Sequence, residues 1–502
     1  LALLFRLLNA LCSRAFFQPD EYWQNLEVAH RWIYGYGYQT WEWRRPAQTT
    51  ERSWRVHFPF PRFSFAFCLD AFLSKVPMLA QVLAPRLLQA GVATSADMAV
   101  RRLASRVLGP TYANAALFAS LTSFFNFHTS TRTFSNSTET ALTAWALALW
   151  PWDTYSRRPP PPQRKLDLRR LLPLALALAA LATVIRPSNA VIWLVLGGLL
   201  FLRAPRSARP SILYSAGLIA CSAILVSLYL DTTFYGTPTL TPLRFLHTNV
   251  FQSISLFYGA NAWHFYLSQG VPILLATQLP FFLDGVYSFS AGSRPLAAAV
   301  QNKRALSALG VTLGTTLGAY SLLSHKEWRF IHPLLPIMHL FVAHSLVRRG
   351  WTTSPKNPRH PISLQSRLGQ LLRIRPSHAL MVTFSLLPAL YLTAFHGLAQ
   401  NTVMSHLRTE LERDSRTTLA AERSRTSTLG FLMPCHSTGW QAFLHRPEME
   451  EEGGAAGAFD KENTRLWMLT CEPPVLGQDP ATYRDESDIF YSDPCGYITS
   501  QL

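Results

Sequence analysis

Residues 211–230 read SILYSAGLIACSAILVSLYL and contain no charged side chain. An α-helix needs about 20 such residues to cross the hydrocarbon core of a bilayer, so this stretch is predicted to span a membrane. Mostly apolar stretches on either side bring the prediction to about eleven spans. The others are 1–16, 63–82, 107–127, 139–156, 171–185, 190–203, 271–290, 306–323, 332–347 and 380–396. The predicted fold class is an all-α polytopic membrane protein.

The charge of the chain supports this prediction. The formal net charge is +17, yet only 15% of the residues are charged and 49% are hydrophobic. Counting the spans from a cytosolic start places the basic loops in the cytosol, as the positive-inside rule requires. These loops are 83–106, 157–170, 204–210, 291–305 and 348–379. The charge therefore indicates contact with a lipid bilayer, and no nucleic-acid partner is needed to explain it.

Two loops on the predicted luminal side carry basic residues against this rule, namely the first loop, 17–62, and the short loop 324–331. Such charges suggest contacts with a ligand, and basic side chains at lipid headgroups are the alternative. The chain is predicted to divide into a transmembrane domain, 1–396, and a luminal C-terminal region, 397–502. Within that region, EMEEEGGAAGAFDKEN (448–463) is predicted to be a flexible loop.

The six cysteines do not make a disulfide framework in a chain of 502 residues. Three of them, Cys435, Cys471 and Cys495, lie in the luminal region, where an oxidising compartment would allow one pair. Cys435 with Cys471 is the predicted pair, and three free or buried thiols are the alternative. No CxxC, HExxH, GxGxxG, P-loop or DxD motif occurs, so neither a metal nor a cofactor is predicted.

The first luminal loop begins FFQPDEYWQNLEVAHRWIYGYGYQTWEWR (16–44). Its adjacent carboxylates, Asp20 and Glu21, are costly at a membrane boundary unless they are solvated, paired or used. An inverting glycosyl transfer needs a carboxylate base for the attacking hydroxyl, and this pair would supply one. An acidic helix N-cap is the structural alternative. The dense aromatic residues would either stack on sugars or form a belt at the membrane interface.

The second luminal motif is SHKEWRFIHPLLP (324–336). If it is helical, His325 and Arg329 share a face, and Lys326 lies three residues before Arg329. Three potential cations at a membrane boundary form a site for a phosphate group, and Glu327 would orient one of them. Interfacial anchoring of the helix ends is the alternative.

A third polar stretch, FSNSTET (134–140), contains the glycosylation sequon Asn136-Ser137-Thr138. A membrane helix is predicted to start at Glu139, too close to the sequon for ready modification. We therefore interpret the stretch as a polar helix entry capped by Ser or Thr.

These motifs together resemble glycosyltransferase family 22, the dolichyl-phosphate-mannose-dependent mannosyltransferases of the endoplasmic reticulum. HKEWRF (325–330) is similar to the HKExRF signature of that family. PDEYWQNLEVAH (19–30) and YGYQTWEW (36–43) resemble the branch that adds the third mannose of the glycosylphosphatidylinositol (GPI) anchor precursor. The tail motif LMPCHSTGWQAFLHR (432–446) resembles the same branch.

The resemblance implies a GT-C fold in the endoplasmic-reticulum membrane, with the active site facing the lumen. It implies an inverting, α-1,2-forming transfer from dolichyl-phosphate-mannose, without another cofactor, to a GPI-precursor glycolipid. Carried over by motif, Asp20 is the base with Glu21 beside it. The donor phosphate is assigned to four residues: His325, Lys326, Arg329 and Arg186. Arg186 lies in IRPSN, which has Ser188 where the family has Thr.

Other functions remain alternatives from the sequence. A sister enzyme would add mannose to the lipid-linked oligosaccharide of N-glycans, or a fourth mannose to the GPI precursor. A membrane transporter is a remote alternative. Transporters typically have internal repeats and charged residues within helices. No repeat is found here, and the charged residues cluster in loops.

Overall fold

The structure, a computed structural model, describes residues 1–43, 78–155, 162–247, 254–291, 300–350, 373–417, 429–449, 466–474, 478–479 and 482–501. The described chain is mostly helical and forms two compact units. The first unit comprises 1–10, 89–226 and 260–391, and the second comprises 11–88, 227–259 and 392–502. Most of the predicted span 63–82 and of the predicted flexible loop 448–463 lies outside the described residues.

The first unit is built from helices. They are Pro110–Leu121, Phe124–Thr129, Ser135–Leu149, Pro162–Ile185, Ala190–Arg203, Val271–Leu275, Leu279–Ser290, Lys303–Ser321, Leu335–Arg348 and Pro376–Phe384. Short 3-10 turns, including Pro187–Asn189 and Trp328–Leu334, connect some of them. The helices Ala2–Cys12, Met78–Val107, Arg209–Tyr235 and Leu386–Ala394 belong in part to each unit.

The helix Leu335–Arg348 forms the centre of the first unit, and all of its residues up to Val347 are buried. It packs against Leu279–Ser290 and against Pro110–Leu121. Gly285 allows the first of these contacts, because a Cβ there would lie 2.1 Å from the carbonyl oxygen of Phe341. Small residues let membrane helices approach each other in this way.

Four helical stretches among the described residues are long and apolar enough to cross a bilayer: Arg206–Tyr235, Tyr266–Ser290, Trp328–Arg348 and Pro376–Arg413. Three shorter apolar helices coincide with further predicted spans: Ala2–Cys12, Leu171–Ile185 and Pro187–Arg203. Large side chains on Arg209–Tyr235, such as Leu213, Tyr214 and Tyr229, are exposed, as contact with lipid chains requires. The total of eleven spans stays a prediction.

The second unit combines the first loop with the tail of the chain. Its helices are Pro19–Glu21, Glu27–Tyr34, Thr241–Leu246, Leu398–Thr417, Gln441–Leu444, Glu486–Ser492 and Pro494–Gln501. A π-helical turn, Tyr22–Leu26, joins the first two, and Trp41–Trp43 is a 3-10 turn. The strands Leu429–Phe431 and Leu466–Met468 pair in parallel. The domain boundary predicted at residue 396 stays a prediction.

The core of the second unit joins the first loop to the tail. Tyr22, Trp23 and Leu26 of the first loop pack in one cluster with Trp440 and Phe443 of the tail. Beside this cluster, the structure joins Cys435 to Cys471 in a disulfide whose Cα atoms are 5.9 Å apart. Cys495 is a free, exposed thiol.

Candidate active site

The residues singled out from the sequence fall into two groups. Asp20 and Glu21 lie in the second unit, whereas Arg186 and the 325–330 motif lie in the first. We call the group Asp20, Glu21 and Glu42 the acidic cluster. We call the group Arg186, His325, Glu327 and Arg329 the signature cluster.

Asp20 and Glu21 are adjacent in sequence but have different surroundings. Glu21 is fully buried, and its Oε1 accepts hydrogen bonds from Arg86 Nε at 3.1 Å and Nη2 at 3.0 Å. Asp20 is partly exposed, and its backbone carbonyl accepts from Asn25 Nδ2 at 2.8 Å. The N-cap of the turn Pro19–Glu21 is Gln18, so neither carboxylate is the N-cap residue. Glu21 is therefore the carboxylate that balances the buried charge of Arg86.

Arg86 links Glu21 to other parts of the second unit. Its guanidinium also donates to the backbone carbonyl of Ser13 and, at 3.3 Å, to Tyr22 Oη. Asn401 Nδ2 donates to the same Tyr22 hydroxyl at 2.9 Å. A buried ion pair with this many hydrogen bonds fixes geometry, and removing one partner leaves an uncompensated charge.

The tail holds the helix that follows Asp20. Trp23 Nε1 donates to the carbonyl oxygen of Thr438 at 2.9 Å. Glu27 is 1% exposed and accepts from the backbone N–H groups of Gln441 at 3.2 Å and Ala442 at 3.0 Å. Because both oxygens of Glu27 bind tail backbone, the tail motif orients the first loop.

A second contact between the first loop and the tail uses histidine. His30 Nε2 lies 3.1 Å from His445 Nδ1, and His30 Nδ1 lies 3.2 Å from the carbonyl oxygen of Tyr36. Burial and the neighbouring His445 lower the pKa of His30 to about 3. His30 is therefore neutral in the folded protein near neutral pH.

The signature motif differs from the helical geometry considered from the sequence. Its backbone is extended at Glu327, and a 3-10 helix begins only at Trp328. His325 and Arg329 are nevertheless brought together, because both bind the carboxylate of Glu327. His325 Nε2 lies 3.3 Å from Oε1, and Arg329 Nε donates to Oε2 at 2.6 Å.

Glu327 is charged in this arrangement. Burial opposes its charged form, but the charge of Arg329 and hydrogen bonds from His325 and Arg329 hold the pKa of Glu327 below its usual range. The carboxylate thus orients the two basic side chains that the sequence predicted to bind phosphate.

Lys326 has separate partners. It is 3% exposed, and its Nζ donates to the carbonyl oxygen of Asn261 at 2.7 Å. Asn261 Nδ2 donates in return to the carbonyl oxygen of Lys326 at 2.9 Å. This exchange fixes the loop just before Glu327.

Arg186 joins the signature motif from another helix end. It follows the helix Pro162–Ile185 in an extended conformation, and its guanidinium lies 5.1 Å from the centre of the Phe330 ring. Its Nε is 3.4 Å from Glu139 Oε2, and its Nη1 donates to Ser135 Oγ at 3.3 Å. Arg186 is therefore positioned by a buried carboxylate and a hydroxyl.

The third polar stretch positions the signature cluster, a role that the sequence did not predict for its residues. The helix begins at Ser135 rather than at Glu139, and its N-cap, Phe134, makes no side-chain cap. The prediction of a Ser or Thr cap was therefore wrong. Asn136 Nδ2 instead donates to the carbonyl oxygen of Arg329 at 3.1 Å. The sequence signal that could have pointed to this role is Glu139, a carboxyl group at the start of an apolar span that pairs with Arg186.

The known proteins to which this chain is similar are mannosyltransferases. The profile of the Alg9-like mannosyltransferase family matches residues 1–445. GPI mannosyltransferase 3 of Yarrowia lipolytica is 33% identical over 99% of this chain and 82% of its own length. Human GPI alpha-1,2-mannosyltransferase 3 is 30% identical over 98% of this chain and 75% of its own length.

Similar solved structures exist at lower identity. The crystal structure of ArnT from Cupriavidus metallidurans bound to undecaprenyl phosphate has a TM-score of 0.60 and 14% identity. The match covers 90% of this chain and 85% of ArnT. The apo form of ArnT has a TM-score of 0.55, with 88% of this chain covered and 83% of ArnT. At this identity the likeness concerns the fold alone, which is that of GT-C glycosyltransferases.

Proposed function

The chain belongs to the Alg9-like mannosyltransferase family, and from this premise we propose that it adds the third mannose of the GPI-anchor precursor. The transfer uses dolichyl-phosphate-mannose and forms an α-1,2 linkage. The names of the Yarrowia and human relatives support this acceptor and linkage. Membership of the family confirms the resemblance drawn from HKEWRF and the first loop.

The donor phosphate binds at the signature cluster. A departing dolichyl phosphate carries negative charge, which fixed cations stabilise better than water does. The observation that carries this assignment is the shared carboxylate of Glu327, which orients His325 and Arg329 together. Arg186 adjoins the same segment through the Phe330 ring. Lys326 lies outside the signature cluster as defined, with its Nζ on the carbonyl oxygen of Asn261, and is the fourth residue proposed for the donor phosphate.

Asp20 is the catalytic base. Glu21 is engaged by Arg86 in a buried ion pair, so its carboxylate holds the structure together. Asp20 takes the proton of the acceptor hydroxyl as that oxygen bonds to C1 of the donor mannose. The bond between C1 and the phosphate oxygen breaks, and dolichyl phosphate leaves from the opposite face.

The reaction takes place on the luminal side of the endoplasmic-reticulum membrane. The distribution of basic loops supports this orientation, with the tail also in the lumen. The basic residues at the donor phosphate neutralise its charge, so the proposal includes no metal. The same chemistry would serve a sister enzyme with a different acceptor.

Complementation tests the proposal. The full chain is expressed in cells that lack the third GPI mannosyltransferase, and their lipid-linked glycans are resolved. We expect the accumulated two-mannose intermediate to be converted to longer forms. If it persists while the protein is present and membrane-inserted, the acceptor is wrong. The N-glycan and fourth-mannose acceptors are then tested in the same way.

A further inference from the structure

Glu42 is a buried carboxyl group that the mechanism above does not use. It lies in the 3-10 turn Trp41–Trp43 and is 6% exposed, between two buried tryptophans. Among the residues that the structure describes, no Lys or Arg forms an ion pair with it. Burying a carboxyl group without a counter-charge is unfavourable, so a buried carboxyl of this kind often has a functional role.

A side chain from the Asp20 helix positions Glu42. Gln24 Nε2 donates to Glu42 Oε1 at 2.8 Å. Gln24 follows Asp20 by four residues on the helical run that begins at Pro19, and this spacing places both on one side of the helix. Burial raises the pKa of Glu42 in spite of hydrogen bonds from Thr40 and Gln24 that lower it, and the nearby charge of Asp20 adds to the rise.

The turn and the residue before it also hold polar atoms that are buried without a well-formed hydrogen bond to any described residue. These atoms are Thr40 Oγ1, Glu42 Oε2 and Trp43 Nε1. Buried donors and acceptors are nearly always satisfied in folded proteins, by protein, water or ligand. Here an unsatisfied carboxyl oxygen and an indole N–H belong to the same turn, beside the proposed base.

The chemistry of this turn fits a sugar. Sugar hydroxyls both donate and accept hydrogen bonds, so they pair with carboxyl and amide groups, while their C–H faces pack on aromatic rings. Neighbouring hydroxyls of one sugar ring would bind Glu42 and Asp20 at the same time. A phosphate group would be repelled by the same carboxylates.

We propose that Glu42, held by Gln24, binds a hydroxyl of the acceptor mannose and orients the adjacent hydroxyl toward Asp20. This inference rests on the proposed function, because it assumes a mannose acceptor at Asp20. In this arrangement Glu42 binds the acceptor and Asp20 takes the proton. Loss of Glu42 therefore weakens acceptor binding more than it slows the chemical step.

The test uses the full chain, purified in lipid, with the two-mannose GPI glycolipid and dolichyl-phosphate-mannose. We expect Glu42→Ala to raise the KM for the acceptor about tenfold or more, with the donor KM within twofold. Glu42→Gln retains one oxygen that can accept a hydrogen bond, so it should raise the KM for the acceptor glycolipid only about threefold. Glu410→Gln alters a partly exposed carboxylate on Leu398–Thr417, which pairs with Arg413, and serves as the matched control.

The outcomes separate the two proposals. An acceptor KM that is unchanged in both folded Glu42 variants overturns the inference. A fall in kcat alone, with acceptor KM unchanged, overturns it as well, because Glu42 would then act in the chemical step. Wild type without turnover on this glycolipid refutes the proposed acceptor instead.

In that case binding of methyl α-mannobioside, followed by saturation-transfer NMR, still tests Glu42. The inference predicts a signal with wild type that weakens in Glu42→Gln. Equal signals in the two proteins overturn it. If Glu42→Ala does not fold, Glu42→Gln alone decides both measurements.

Discussion

The acidic cluster and the signature cluster both contain arginine–carboxylate pairs, but the pairs hold different proposed residues in place. In the signature cluster each arginine has a carboxylate partner, Glu139 for Arg186 and Glu327 for Arg329. In the acidic cluster an arginine, Arg86, pairs with Glu21, the carboxylate next to the proposed base. In the signature cluster the counter-ions orient cations toward a charged ligand, whereas in the acidic cluster the ion pair fixes the backbone that carries the proposed base.

The largest effect expected from this comparison separates Asp20 from Glu21. Asp20→Asn keeps the size of the side chain but removes the base, so turnover should fall by about 10²–10⁴-fold with normal membrane insertion. Glu21→Gln leaves the Arg86 charge buried and unpaired, which should cost about 3–5 kcal/mol of stability. Transfer rate per folded molecule, together with thermal stability, measures both effects.

The double variant Glu21→Gln with Arg86→Met is the control for that pair. It removes both charges and should recover part of the stability lost in Glu21→Gln. Turnover of Asp20→Asn at the wild-type rate would exclude Asp20 as the base. Normal stability of Glu21→Gln would show that the buried pair contributes little.

The disulfide should have the next largest effect, confined to the second unit. Cys435→Ser combined with Cys471→Ser removes a crosslink over 36 residues, which should cost about 2–4 kcal/mol of stability. Loosening the tail should also lower turnover, because the tail binds Glu27. Cys221→Ser, at an exposed free cysteine, is the control. Equal thermal midpoints for the disulfide variant and this control would contradict the prediction.

The signature cluster should respond through the donor. Arg329→Lys or Arg186→Lys keeps the charge but loses the planar guanidinium fork, so donor KM should rise about tenfold while acceptor KM stays constant. Initial rates at varied dolichyl-phosphate-mannose measure this. Arg206→Lys, at an exposed arginine, should leave both constants unchanged. A change in acceptor KM alone would contradict phosphate binding by these arginines.

The smallest effect concerns pH. His30 has a folded-state pKa of about 3, against an ordinary value near 6.5. Between these values the unfolded chain binds a proton that the folded chain does not, so stability is full above pH 6.5 and falls below it. From pH 6.5 to 5.5 this one group should cost about 1 kcal/mol.

Thermal midpoints of wild type and His30→Gln across that pH range measure the difference in slope. The variant should be less sensitive to acid than wild type, even if it is less stable overall. Identical slopes would show that His30 is accessible to protons in the folded state.

The sequence by itself was enough to predict the helical membrane fold and the family. Apolar runs such as 211–230 and the short motif HKEWRF depend on local composition, which a single sequence displays directly. It also located Asp20 and Arg186 as residues to examine. Their proposed roles still rest on the experiments above.

Only the tertiary structure decided which charge pairs with which. Arg86 meets Glu21 across 65 residues, and Asn136 meets the Arg329 backbone across 193 residues. Pairs so distant in sequence leave no periodic pattern, because packing rather than local propensity brings them together. For the same reason, the sequence alone shows Glu42 only as an acidic residue between two tryptophans. Its burial beside Gln24 appears only once the first loop has folded.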